Sequence, residues 1–101
     1  MKKIVRYKVK TDRAAENENY VAKVFEELKR TRPPGLRYGC FKLSDGVSFV
    51  HIVSVEPKQA GNPLKQLETF KAFTDTLDDR CEELAVASDL EEVGSYRIFG
   101  E

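Results

Sequence analysis

The sequence predicts an α+β fold in which a four-stranded antiparallel sheet carries two helices on one face, in the chain order β-α-β-β-α-β. Three observations predict it. Residues 47–55 hold Val, Ile or Phe at six of nine positions, which suits a pleated, buried surface. Two segments with helical periodicity lie either side of that stretch, and an Asp-Gly pair just before it marks a tight hairpin. Alternation along residues 47–55 places Val47, Phe49, His51, Val53 and Val55 on one side, with Ser48, Val50, Ile52 and Ser54 on the other. Neither side is polar enough to face water.

The first strand is read at residues 4–10, with Val5, Tyr7 and Val9 on one face and Ile4, Arg6, Lys8 and Lys10 on the other. Thr11 and Asp12 can cap free backbone amides, and Glu16 and Glu18 suit the positive end of a helix dipole, so a helix should begin near Arg13. Its apolar stripe is Tyr20, Val21, Val24, Phe25 and Leu28, and Pro33-Pro34-Gly35 should end it by about Arg32. Residues 36–43 form a second strand, with Tyr38, Cys40 and Lys42 opposite Arg37, Gly39, Phe41 and Leu43. Ser44-Asp45-Gly46 then turns the chain into the 47–55 strand.

Beyond Val55 the chain is polar and broken until Asn62-Pro63, where a capping side chain precedes proline at a first helical position. Leu64, Leu67, Phe70, Phe73, Leu77 and Cys81 then recur at three- and four-residue spacing, and Thr69 could cap a fresh start within this region. Asp75, Asp78, Asp79 and Arg80 read as its solvated face. Residues 82–89 show no clear period, and residues 93–99 read as the fourth strand. Right-handed crossovers then put both helices on one side, the ferredoxin-like arrangement. The bare side of so apolar a sheet calls for a second copy of itself, so a homodimer through the open sheet face is expected.

The 101 residues suit a single domain spanning 1–101, with one core. Seventeen basic and seventeen acidic side chains cancel, which disfavours nucleic acid and anionic membranes as partners. No apolar run reaches the roughly 18 residues of a membrane span, and the lysine-rich start lacks a signal sequence, so a cytoplasmic location is expected. Cys40 and Cys81 are far apart, without metal-ligand spacing, and are read as free thiols. No cofactor or metal is expected.

Candidate site residues follow from the faces. His51, the only histidine, could move a proton near neutral pH, or it could be a neutral core histidine held by one hydrogen bond. Tyr7, Tyr38 and Tyr96 fall on three predicted strands, so the sheet could gather two of them with His51 around one pocket to hold a small aromatic ligand, or use them as core and interface residues. Arg6, with Arg97 on a neighbouring strand, could bind a carboxylate or pair with acids across the dimer.

The pieces Arg6-Tyr7-Lys8-Val9-Lys10, Pro33-Pro34-Gly35-Leu36, Phe49-Val50-His51-Ile52 and Gly94-Ser95-Tyr96 give nearly the whole chain a resemblance in pattern to the dimeric α/β-barrel superfamily, and to its antibiotic-biosynthesis-monooxygenase branch most of all. The resemblance implies two sheets facing one another in a dimer, with a cleft between sheet and helices in each subunit. It also implies small-molecule binding, with cofactor-independent oxygenation of an aromatic or polyketide-like compound as one activity of the group. Many members have no assigned activity, so a non-catalytic dimeric module is the alternative. The better understood oxygenases and haem-degrading members pair a tryptophan with an asparagine. This chain has no Trp, and Asn17, Asn19 and Asn62 sit at predicted helix starts, so no catalytic assignment carries over.

Overall fold

A computed structural model describes residues 1–99. The elements are β1 (Lys2–Val9), a 3-10 turn (Thr11–Arg13), α1 (Ala14–Thr31), β2 (Leu36–Lys42), β3 (Ser48–Val55), a second 3-10 turn (Pro63–Gln66), α2 (Glu68–Asp75), α3 (Leu77–Arg80) and β4 (Cys81–Asp89). The four strands form one antiparallel sheet in the order β2-β3-β1-β4. This is the ferredoxin-like arrangement.

β3 is central, and its alternation is as the sequence predicts. Phe49, His51, Val53 and Val55 are buried beneath the helices, while Ser48, Val50, Ile52 and Ser54 are half-buried on the opposite side. Tyr7 and Val9 of β1, Val24 of α1, Leu64, Leu67, Phe73, Leu77 and Cys81 complete the core with them. The hairpin before β3 closes as its Asp-Gly pair predicts. Asp45 Oδ1 accepts from the amides of Val47 and Ser48, Oδ2 accepts from Ser48 Oγ, and Gly46 takes the left-handed φ of 79°.

α1 ends at Arg32, whose left-handed φ of 46° lets its amide bond Leu28 O, and Gly35 at φ 73° redirects the chain into β2. No side chain caps α1, so Thr11 and Asp12 do not play the expected role. Asn62 does cap, its Oδ1 accepting from Leu64 N. The region after it divides near Thr69, but Thr69 caps nothing. Its amide and hydroxyl instead donate to Glu27 Oε1, tying α2 to α1.

The fourth strand lies at Cys81–Asp89, not at residues 93–99. Its register against β1 slips twice, so that Lys8 faces Glu83 while Arg6 faces Val86. Each slip reverses the alternation, and no helix covers β4 beyond Cys81, so no two-residue period survives in the sequence. Residues 93–99 instead form an exposed tail, with positive φ at Arg97 and Phe99 that a strand does not accommodate. The opposite sheet face carries Ile4, Val50 and Ile52 at its centre. Phe41, Leu84 and Val86 stand exposed around them, and Phe99 packs its ring at 4.9 Å from that of Phe41. Among the described residues, no helix is long and apolar enough to cross a membrane.

Candidate functional site

Strand parity puts Tyr7, Tyr38, Cys40 and His51 on the helix-covered face of the sheet. Tyr7 is paired with Phe49 and Tyr38 with Val53, so each tyrosine is a diagonal neighbour of His51, on opposite sides along β3, while Cys40 stands directly across from it. Tyr7 Oη lies 2.7 Å from His51 Nε2, and Tyr38 Oη lies 2.5 Å from Nδ1. Cys40 Sγ is 3.4 Å from Nε2. Phe73 of α2 closes over the imidazole with ring centroids 5.3 Å apart. Both ring nitrogens are thereby engaged.

The chain of polar atoms continues beyond Tyr7. Asn17 Nδ2 donates to Tyr7 Oη at 2.8 Å, and Arg80 Nε donates to Asn17 Oδ1 at 3.0 Å. Arg80 also donates to Thr76 Oγ1 and to Phe73 O, and its guanidinium lies 4.2 Å from the centroid of the Tyr20 ring. No carboxylate among the described residues pairs with it. Arg80 and Asn17 are both fully buried. Arg80 therefore leaves the solvated face assigned to it, while Asp75, Asp78 and Asp79 remain exposed there.

Asn17 and Arg80, like Cys40, are members of the cluster that the sequence did not assign to a site. Both carried a signal, because Asn17 extends the stripe Tyr20, Val21, Val24, Phe25 backwards by one turn and Arg80 follows Phe73 and Leu77 at helical spacing. A polar residue on an apolar stripe is a buried polar group in need of partners.

Burial sets the electrostatics. It pushes the His51 pKa down to about 4, so the imidazole is neutral at physiological pH. It raises the Tyr7 and Tyr38 phenols well above their ordinary value and the Cys40 thiol to about 12. At neutral pH the only charge in the assembly is that of Arg80.

At its other end the chain meets a groove. Tyr38, half-buried, stacks on Phe25 at 5.2 Å and lines a cavity of about 230 Å³ with Phe25, Leu28, Lys29, Arg32, Pro33 and Leu36, between the end of α1 and the start of β2. A second cavity of about 250 Å³ lies against Arg6, Lys8, Val50, Leu84 and Val86. Arg6 is on this open face, so the sheet separates it from His51, Tyr7 and Tyr38. Tyr96 is 83% exposed in the tail, outside the cluster that its predicted strand was to join. Among the described residues, no three His, Cys, Asp or Glu side chains are arranged to hold a metal.

No family model and no curated protein matches the chain. Solved structures do. One described as an antibiotic biosynthesis monooxygenase superposes with a TM-score of 0.75 at 17% identity, over 92% of this chain and 98% of that one. A Nitrosomonas europaea protein provisionally described in the same terms gives 0.74 at 20% identity, over 91% and 88%. SnoaB of Streptomyces nogalater, a cofactor-independent oxygenase solved as a mutant, gives 0.62 at 18% identity, over 91% and 93%. Sequence pattern, topology and superposition agree: the chain has the ferredoxin-like fold of the antibiotic biosynthesis monooxygenases.

Proposed function

We propose that the protein is a cytoplasmic homodimer that binds a small aromatic or polyketide-like compound in the groove beside Tyr38 and processes it without a bound cofactor, in the manner of the monooxygenase-like proteins. The observation that carries this reading is the unbroken hydrogen-bonded chain from Arg80 through Asn17, Tyr7 and His51 to Tyr38, whose last member lines an aromatic-walled groove. Protons can pass among Tyr7, His51 and Tyr38 with no heavy atom moving. Tyr38 is the member placed to touch a ligand, and His51 acts behind it. The likeness of the fold to a cofactor-independent oxygenase supports the choice of chemistry.

Tyr38→Phe keeps the ring on Phe25 and removes the hydroxyl. Oxygen uptake with a hydroxylated anthrone or naphthol should fall at least tenfold in this variant while its thermal unfolding stays two-state; undiminished uptake would discard Tyr38. His51→Ala is the poorer test, because it strands the buried Tyr7 hydroxyl and frees Tyr38 at the same time.

The dimer rests on Val50, Ile52, Phe41, Leu84 and Val86, an apolar face with no helix over it. Sedimentation at micromolar concentration should give twice the chain mass, and Ile52→Glu should halve it. A monomeric wild type contradicts the assembly.

A non-catalytic module is the second reading. What favours it is that neither groove is lined by His51, whose nitrogens are both held by tyrosines. Failure of every aromatic compound to perturb Tyr38 would select it.

A further inference from the structure

The buried chain has a direction, and the direction specifies a ligand. A guanidinium only donates, so Asn17 must turn Oδ1 to Arg80 and Nδ2 to Tyr7. Tyr7 Oη thus already accepts one hydrogen bond, and its own hydrogen needs an acceptor. Two arrangements are open beyond this point. In one, Tyr7 donates to His51 Nε2, His51 carries its proton on Nδ1 and donates to Tyr38 Oη, and the hydrogen left over is that of Tyr38. In the other, His51 carries its proton on Nε2, Tyr38 donates to Nδ1, and the hydrogen left over is that of Tyr7.

Tyr7 is 4% exposed, and an orphaned hydroxyl hydrogen there costs about 1–3 kcal/mol. Tyr38 is half-buried and lines the groove, so of the two phenols it is the one with open space beside its ring. The first arrangement leaves no hydroxyl hydrogen orphaned at Tyr7, the one lone pair of Nε2 being taken by that hydroxyl. Tyr38 is then the phenol with a hydrogen left to donate.

The rim gives an independent indication. Lys29 and Arg32 line the same groove, and neither takes part in any ion pair among the described residues. The remaining walls, Phe25, Leu28, Pro33 and Leu36, are apolar and carry no acid.

We infer that the groove between the end of α1 and the start of β2 takes a small aromatic compound bearing an oxyanion, a carboxylate or an ionised phenol, whose oxygen accepts from Tyr38 and whose charge is met by Lys29 and Arg32. The volume of about 230 Å³ suits one or two rings. This rests on the groove being the ligand site, and it adds the ligand's charge and hydrogen-bonding sense.

Two measurements on the full chain test it. In the free protein, nitrogen-15 NMR of the single imidazole should show Nδ1 protonated and Nε2 bare; the reverse tautomer overturns the inference whatever binds. In titrations with 2-naphthoate and 2-naphthylmethylammonium, the carboxylate should bind at least tenfold more tightly. Tyr38→Phe, and separately the pair Lys29→Gln with Arg32→Gly, should each weaken it severalfold or more. Glycine suits the left-handed backbone at position 32, so the second variant keeps its fold. Equal affinity for the two probes overturns the inference but leaves small-molecule binding standing. Binding of neither probe, with the tautomer as expected, overturns the groove as a ligand site and the proposed function with it.

Discussion

Replacing Arg80 by alanine is expected to lower the unfolding free energy by about 3 kcal/mol, read as a shift of the urea midpoint at constant slope. The side chain is fully buried, and its loss removes the donor to Asn17 Oδ1 and Phe73 O, both in buried bonds, and to the half-buried Thr76 Oγ1. The contact with the Tyr20 ring goes as well. Arg80→Met separates packing from polarity, since it fills much of the volume and donates nothing. It should still cost more than about 1 kcal/mol, because the amide of Asn17 would be left facing an apolar chain. Adding Asn17→Leu to Arg80→Met removes both partners, so the double variant should lose less than the two single losses combined. A midpoint for Arg80→Met within about 0.5 kcal/mol of wild type, the size of an ordinary surface change, would sink the claim that this guanidinium orients the chain of polar groups.

These two residues also show where the sequence stops being readable. Patterns repeating every two or 3.6 residues expose the elements that rest on one continuous surface. β3 buries one side fully and the other by half, and α1 lays an unbroken stripe from Tyr20 to Leu28, so both were legible to within a residue or two. Parity alone also put Tyr7, Tyr38 and His51 on one face, because strands β1, β2 and β3 pair without a bulge. β4 had no such regularity: its two register slips break the period, and the valine, isoleucine and aromatic residues of the tail imitated the strand that was missing.

Asn17 and Arg80 were hidden for a different reason. Near a helix end an asparagine suggests a cap, and an arginine among aspartates suggests solvent; either expectation is right for an isolated helix. Only the crossing of α1 with α2 and α3 over β1 brings an amide, a guanidinium and a phenol within bonding distance. Arg6 and Tyr96 lie outside the His51 cluster for complementary reasons. Arg6 has the opposite parity to its neighbour Tyr7, and Tyr96 lay on a strand that does not form.

Acid should destabilise the fold through His51 before it does so through the carboxylates. Burial holds the folded imidazole at about 4 against 6.5 for an unhindered histidine, so the folded state binds this proton less readily than the unfolded chain. The resulting stability is fully present above pH 6.5. It is lost as pH falls from 6.5 towards 4, and levels off below that, with a total of about 3 kcal/mol. The groups facing the ring, Tyr7, Tyr38 and Cys40, all have raised pKa values and stay neutral throughout this window. Glu16, Glu27 and Asp45, held below their ordinary values by Arg13, Thr69 and Ser48, add their own losses only at lower pH. Urea unfolding at pH 7, 6, 5 and 4.5 should therefore show a decline of up to about 1.4 kcal/mol per pH unit over the lower part of that range. His51→Gln, which retains an amide between the two phenols but cannot take up a proton, should flatten it. A variant whose stability fell in parallel with wild type across these values would show that the imidazole is not the group that acid reaches first.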